Sequence, residues 1–460
     1  MLSFSEVINR ALNGPICTER DFDLGIFVPN LRKVLSKYNI KFDPTTPIPS
    51  DDDFADSVWQ AGMEFLEATG MYCLDTERRI IFTREEIEGA LQTGPKGCLY
   101  GQGKDARIMP RRYPEDKTPP WCSGSGAGPV SKEEYVVNIV KTYAEDALSC
   151  GITAPALTNV DGLPVQANSP TAIEGAVRTI LLTREGLRRA GKPGLAVVNE
   201  VSSAIRAAEH IAGHRFGNQY VDHLEIGTIH ELKVDLDALN KVAYCESLNN
   251  LTFAENGIII GGFAGGPAGA AVVACAYNPV DMLVLRGAAQ HPFIVPFEKG
   301  TSSRRDALWA RSVSIQATSR NSPLPAVSPG YTSAGPLTEM AYYEYAAWII
   351  TQVVSGGSIE IAPPYRGVLT DHCSPVENIF GNGVGYAAAG MTRDDANRIV
   401  LALLEKYEDK IADPPKGKPY TEYFDPANAR PNKACVKLFY QMRKEFTDEF
   451  GLEFKNTAPF

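Results

Sequence analysis

From Ser131 onward, short apolar runs alternate with stretches whose apolar residues recur at helical spacing. ITAPALTN (152–159) precedes TAIEGAVRTILLTREGLRRAG, and PGLAVVNE (193–200) precedes SSAIRAAEHIAGH. VDHLEIG and NGIIIGGFAG (256–265) come next, and MLVLRGAAQ (282–290) precedes RDALWARSVSIQATS. VSPGYTSAG (327–335) precedes LTEMAYYEYAAWIITQVVSG, and SIEIAPP (358–364) is the last such run. Strand–helix alternation predicts parallel strands, because a parallel pair needs a long crossover. This many units over ~240 residues fits an α/β fold of the (β/α)8 TIM-barrel kind best. A doubly wound open sheet is the runner-up.

The first 130 residues have another character. WQAGMEFLEATG spaces its apolar residues for a helix that stops at Gly70. RRIIFT reads as a short strand, and Thr83 with Glu86 forms a capping box for the next helix. Residues 96–130 are rich in Gly, Pro and charge and read as long irregular connections. Ser131 with Glu134 reads as a second capping box, opening EEYVVNIVKTYAEDALSCG. From Ile411 a Pro- and Lys-rich stretch leads to a helix over VKLFYQMRKEFTDEF. The expected organisation is therefore an N-terminal, mostly helical extension (1–130), a barrel (131–410) and a C-terminal wrap and helix (411–460).

Composition narrows the partners. The chain has 460 residues and a formal charge of −10, with 45 basic residues mixed among 55 acidic ones, which argues against a nucleic-acid footprint or a basic membrane patch. Nine scattered cysteines with no C-x-x-C suit free thiols in a reducing compartment. MLSFSEVINRALNG is neither basic nor apolar enough for a signal peptide, and no run reaches membrane-spanning length. A cytoplasmic protein with no membrane or nucleic-acid partner is the expectation.

In a barrel, chemistry gathers where strands end, which singles out Asn159, Asp161, Asn199, Glu200, Gln290, His291, Tyr331 and Glu360. Tyr331 is a candidate wall for a cationic ligand, with Trp309 or Trp348 beside it. GGFAGGPAG (261–269) lacks the Gly-Lys-Ser/Thr of a phosphate loop and reads as close strand–helix packing or room for a bulky cofactor at the rim. Four of six histidines crowd into residues 206–231. His210 and His214 stand at i, i+4, the spacing that lets two imidazoles reach one zinc, with His223 or His230 as a third ligand. The alternative is a helix end whose histidines favour the negative end of the dipole without metal.

Several strings together resemble one family. AGMEFLEATGMYCLDTERRIIFTREEI, GKDARI, SGAGPVSKEEY, GKPG (191–194), HELKVDLDAL (230–239), IGGFAGG (260–266), AGPLTEM (334–340) and YEDKIADPPKGKPYTEYFD occur in matching order and spacing. The sequence is similar in this way to the monomethylamine methyltransferases of methylotrophic methanogens, which are (β/α)8 barrels. The resemblance implies methyl transfer from an amine to Co(I) of a cobalamin (corrinoid) carried by a partner protein, and a homo-oligomer. It also implies a pyrrolysine to hold the amine. An ungapped count from GKPG puts that position on Ala207, which offers no electrophile.

The expected function is therefore a corrinoid-dependent methyltransferase working without pyrrolysine on a small methylated amine, quaternary or otherwise pre-activated. Glu231, Glu255 and Glu360 are the expected catalytic carboxylates. Ala207, Tyr331, Gln290 and Gln352 are expected around the substrate, and Gly261, Gly262, Gly265 and Gly266 at the rim near the corrin. A zinc enzyme acting on an alcohol, ether or thiol, with His210 and His214 as ligands, is the alternative. A non-catalytic ligand-binding barrel is the reading from another class.

Overall fold

The computed structural model describes residues 2–125, 130–198, 206–217, 221–298, 300–362, 364–365, 369–425, 427–455 and 458–460. Asn199 and Glu200 lie outside the described residues. Among the described residues the central parallel core is built from β1 (Cys122–Ser125), β2 (Gly151–Thr153), β3 (Ala196–Val197), β4 (Leu224–Gly227), β5 (Thr252–Ile260), β6 (Gly287–Pro296), β7 (Val327–Gly330) and β8 (Ser358–Ile361). A helix follows each strand in the chain, from Glu133–Glu145 after β1 to Pro375–Ala388 after β8.

The pairing order follows the chain and then returns on itself. β1 pairs with β2 on one side and with β8 on the other, so the last strand meets the first. A single parallel bridge between Gln290 and Ala326 joins β6 to the start of β7. Between β3 and β4 the Val197 N–H donates to Asp222 Oδ1 at 2.9 Å, a side-chain bond where the other pairs share backbone bonds. The architecture is TIM-barrel-like, a parallel-sheet core within a layer of helices.

Sequence explains most of these elements. The Asp52–Thr69 helix ends at Gly70, whose φ of 68° only glycine adopts without strain. The Thr83–Glu86 capping box forms with both reciprocal bonds. The box expected at Ser131 does not: Lys132 is the N-cap of the next helix and makes no side-chain cap bond. The Pro267–Leu283 helix is buried almost all round because the Asp52–Thr69 helix covers its outer side. Gly62 makes that possible, since a Cβ there would stand 2.6 Å from Cys275 Cβ.

Two strand expectations need correction. β1, sequence CSGS, falls in the segment read as irregular connections, and the sheet therefore begins before residue 131. Its small polar residues carry no apolar run, yet Ser123 is fully buried between its neighbours. β6 runs from Gly287 to Pro296 rather than over 282–290, because Met282 and Leu283 finish the preceding helix. All nine cysteines are unpaired. Among the described residues no helix is long and apolar enough to cross a membrane.

The sheet interior is layered. Tyr100, Trp121, Phe253, Ala288, Ala289 and Val327 make an apolar cluster at the end where the strands begin, with Tyr100 carried in by the Gly97–Tyr100 and Arg107–Pro110 hairpin. Above Phe253 the interior becomes acidic.

Candidate active site

Side chains alternate along a strand, so residues two apart share a face. On β5, Phe253 and Glu255 face the interior while Asn256 turns outward to donate to Asp281 on the helix behind. On β6, His291 and Phe293 share the inner face, and Gln290 between them and the preceding residues turns outward. β5 and β6 pair in a register that sets Glu255 opposite His291. β4 adds Glu225, paired with Phe253, and β8 adds Glu360. Four strands thus deliver three carboxyl groups and one imidazole to one place.

The imidazole sits between two carboxylates. His291 Nδ1 is 3.1 Å from Glu225 Oε1, and its Nε2 is 2.7 Å from Glu360 Oε2. Thr153 on β2 donates to the other oxygen of Glu360 at 2.8 Å. The His291 ring rests on Phe253, centroids 4.7 Å apart. His291 and Glu360 are both buried, at 2 % exposure each. Both His291 contacts are ion-pair distances; neither nitrogen has the angles of a directed hydrogen bond.

Burial alone would strip the proton from His291, but the Glu360 and Glu225 carboxylates outweigh it and raise its pKa to about 10. The same ion pair pulls Glu360 below its ordinary value against the effect of burial. Glu255 is pushed up to about 8, first by burial and then by the charge of Glu225. These surroundings favour a protonated His291 and a protonated Glu255 beside an ionised Glu360 at neutral pH, in a site rich in carboxyl groups.

An aromatic wall stands beside it. Tyr331 follows β7 and its ring meets that of Phe293 edge-on, centroids 5.3 Å apart and planes 63° to one another. Both rings are half-buried. Burial first, then the charges of Glu255, Glu360 and Glu225, hold the Tyr331 phenol in its protonated form. The ring of His230, itself exposed, occupies the space a side chain at Gly257 would need.

Other expected site residues lie elsewhere. Gln290 receives a bond from Asn278 and donates to the Ala274 carbonyl, both at 2.8 Å, so it is tied into the helix layer. Gln352 donates to the Ser358 carbonyl and accepts from Arg311, again outside the sheet. Neither joins the acidic cluster. Trp309 and Trp348 are likewise buried among helices. Ala207 is buried at the start of the Ala207–His214 helix, its N–H held by Asp237 at 3.1 Å.

Glu231 serves the glycine turn. Its carboxylate accepts from the N–H groups of Phe263 and Ala264 at 3.1 and 3.0 Å, while Gly261 N–H donates to the Gly265 carbonyl at 2.7 Å. Gly261 and Gly265 have φ of 98° and 70°, and a Cβ on Gly262 would stand 2.6 Å from the Glu231 carboxylate. Gly266 caps the helix that follows. Glu231 and Leu232 themselves take left-handed φ values of 66° and 58°, a strained pair braced by Tyr277, whose hydroxyl receives the Leu232 N–H.

His214, one of the expected histidine pair, meets groups other than a metal among the described residues. His214 faces the Asp222 carbonyl with Nε2 and the Tyr244 hydroxyl with Nδ1. A carbonyl only accepts, so Nε2 bears the proton and the Nδ1 lone pair is taken by the tyrosine. Burial lowers its pKa to about 4, so it stays neutral. His223 uses Nδ1 on the Leu251 carbonyl, and its Nε2 faces Cys98. Among the described residues the group able to hold a metal is instead Glu225, Glu255 and His291, whose ligand atoms lie within 4.8 Å of one another.

Glu225 escaped the sequence reading, although a carboxylate between Leu224 and Ile226 in VDHLEIG was the available signal. A cavity of about 780 Å³, lined by Leu2, Phe4, Met282 and Arg286 among others, lies at the opposite end of the strands from these carboxylates.

Comparison with known proteins places this geometry. A family model described as monomethylamine methyltransferase MtmB matches residues 2–452. The chain is 29% identical over 448 residues to monomethylamine methyltransferase MtmB2 of Methanosarcina acetivorans, covering 97% of both proteins. It is 29% identical over 449 residues to MtmB of Methanosarcina mazei, again over 97% of each. Among solved structures, the hydroxylamine complex of MtmB superposes with a TM-score of 0.94 at 28% identity over 98% of both chains. The Methanosarcina barkeri monomethylamine methyltransferase superposes with a TM-score of 0.93 over the same shares. With its fold and nearly its whole length matched, the chain belongs to the monomethylamine methyltransferase family, and is a methyltransferase.

Proposed function

We propose that this protein moves a methyl group from a small methylated amine to Co(I) of a corrinoid held by a partner protein. The observation that carries the reading is the cluster of Glu225, Glu255, His291 and Glu360, three carboxyl groups gathered around one imidazole. An aminium donor is attractive to such a site, and the cluster lies on the inner faces of strands whose C-terminal ends carry the chemistry in this architecture. The partner's corrinoid supplies the nucleophile. The protein's own residues bind the cation, orient its methyl group towards the mouth and exclude water.

Ala207 carries no reactive ring, so the reading is methyl transfer without pyrrolysine, from an amine that is quaternary or otherwise pre-activated. Gly261, Gly262, Gly265 and Gly266, held by Glu231, would form the rim nearest the corrin, where the absence of side chains lets a broad ring approach. Glu231 supports that rim rather than the amine. We further read the sheet as a closed (β/α)8 barrel opening at Cys122, with an extension before it and a wrap from residue 411, and the protein as a homo-oligomer.

The test is methylation of added cob(I)alamin by the purified protein across a panel of methylated amines. Transfer from at least one amine, abolished in Glu255→Gln together with Glu360→Gln, is the expected result. No transfer from any amine would sink the reading.

A second reading rests on the same donor atoms. Two carboxylates and an imidazole whose other nitrogen faces Glu360 make a plausible zinc set with its outer support. Zinc there would act on an alcohol, ether or thiol. About one zinc per chain in protein purified without a metal-binding tag would favour it.

A further inference from the structure

We propose that Glu344 is a positioning residue: from outside the sheet it ties together the two loops that hold Tyr331 and so fixes that ring against Phe293 at the mouth. This rests on the methyl-transfer reading above, in which the Tyr331 wall faces the amine.

A carboxyl group in this place needs an explanation. Glu344 stands on the Glu339–Val354 helix, and from Met340 to Val354 no other residue is charged. It is fully buried, and it meets hydroxyls and backbone N–H groups rather than a basic side chain. A buried charge is costly unless hydrogen bonds replace its water. Here they do. Oε1 takes the Ser303 hydroxyl at 2.6 Å, the Ser333 N–H and hydroxyl each at 2.8 Å, and the Thr301 hydroxyl at 3.3 Å. Oε2 takes the Ala334 N–H at 2.8 Å. Burial raises the carboxyl above its ordinary range, and the donors of Ser303, Ser333 and Ala334 draw it back.

The donors come from two loops at one end of the sheet. Thr301 and Ser303 follow β6, while Ser333 and Ala334 follow β7. Tyr331 is bound between them. Its N–H donates to the Ser302 hydroxyl at 3.1 Å, and its carbonyl accepts the Ser302 N–H and the Thr301 hydroxyl, both at 3.0 Å. Both main-chain polar groups of Tyr331 thus belong to the β6 loop, and Glu344 grips that loop together with the residues just after Tyr331. Tyr407 adds a brace by donating to the Ser303 carbonyl at 2.7 Å.

The ring that leaves this clamp meets Phe293 at 5.3 Å between centroids, and the charges of Glu255, Glu360 and Glu225 reach its phenol. A wall beside a reacting methyl group must hold its place, because a misplacement of about 1 Å can cost about a hundredfold in rate. Glu344 sets where that wall stands and acts only through Tyr331.

The experiment is a double-mutant cycle on methyl transfer from methylammonium to added cob(I)alamin, with Glu344→Gln and Tyr331→Leu made singly and together. Glutamine keeps the size but turns an amide N–H towards the converging donors. Glu344→Gln is expected to lower kcat/KM about tenfold alone and less than about twofold once Tyr331 is already replaced. Thr301→Val removes the hydroxyl between Tyr331 and Glu344 at constant shape. It should couple to Tyr331→Leu in the same way, and it carries the test if a thermal melt shows Glu344→Gln unfolded. Losses that combine independently would overturn the proposal, as would full activity in Tyr331→Leu. The methyl-transfer reading fails separately. If the unaltered protein transfers nothing from methylammonium, fluorine NMR of protein labelled with fluorotyrosine decides, its Tyr331 signal identified by loss in Tyr331→Phe. A signal shifted or broadened in the folded Glu344 or Thr301 variant supports the clamp, and an unmoved one ends it.

Discussion

The Nε2 atom of His291 lies 2.7 Å from Oε2 of Glu360, with both side chains buried and Thr153 fixing the far oxygen of the carboxylate. This pair joins β6 to β8 across the interior, and through Nδ1 the same imidazole reaches Glu225 on β4. One protonated ring thus makes it tolerable for three carboxyl groups to share a buried space. Remove it and their mutual repulsion is unopposed.

His291→Ala should therefore be among the costlier single substitutions in the chain, about 3–5 kcal/mol, because it strands buried charge. Urea unfolding of both proteins at pH 7 measures it; a variant as stable as the unaltered protein would contradict the account.

Stability should fall as pH rises between about 5 and 8. Glu255 has an ordinary pKa of 4.5 and a folded one of about 8, so in that window the native protein keeps a proton the unfolded chain releases. His291 acts in the same direction: raised from 6.5 to about 10, its contribution is complete below 6.5 and is lost as pH climbs towards 10. Glu255→Gln removes the first effect. Its unfolding midpoint should gain on that of the unaltered protein from pH 5 to pH 8, and parallel midpoints would count against the raised Glu255.

Glu231→Ala frees the N–H groups of Phe263 and Ala264 and should cost about 2–3 kcal/mol. If, as proposed, Glu231 holds the rim and not the amine, amine affinity measured by calorimetry should stay within about twofold, while transfer to the corrinoid protein slows. A large loss of amine affinity in a folded Glu231→Ala protein would return Glu231 to the pocket.

His214→Ala should lower stability by about 1–3 kcal/mol, since the Asp222 carbonyl and the Tyr244 hydroxyl each lose a partner. It should leave metal content unaltered. If the protein binds zinc, emission analysis should show the metal disappearing with His291→Ala and persisting in His214→Ala.

Gly62→Ala tests the packing of the extension. The added methyl meets Cys275 Cβ at 2.6 Å between two helix backbones, so a cost of about 1–3 kcal/mol or more is expected from thermal unfolding. An unchanged melting temperature would mean the two helices separate easily.

Much of the fold was legible in particular residues. The apolar runs at ITAPALTN, NGIIIGG and SIEIAPP are buried parallel strands, and Gly70 and Thr83 punctuate helices where their chemistry says they should. Tyr331, Glu255 and Glu360 were named and do come together. Gln290 was misjudged because one residue decides which side of a strand a side chain faces, and the true β6 register puts His291 inside and Gln290 out. β1 was missed because CSGS owes its strand pairing to β2 and β8, which lie far along the chain.

The sequence by itself determined the alternation of strands and helices and where most helices stop, together with the family likeness, since period, caps and composition are local properties. Tertiary structure alone decided that Glu225, Glu255, His291 and Glu360, up to 135 residues apart in their numbering, share one buried space, and that His214 is hydrogen-bonded in the core. The physical reason is that an ionisable group acquires its proton and its role from what surrounds it, and here those surroundings come from four strands that only the tertiary fold brings together.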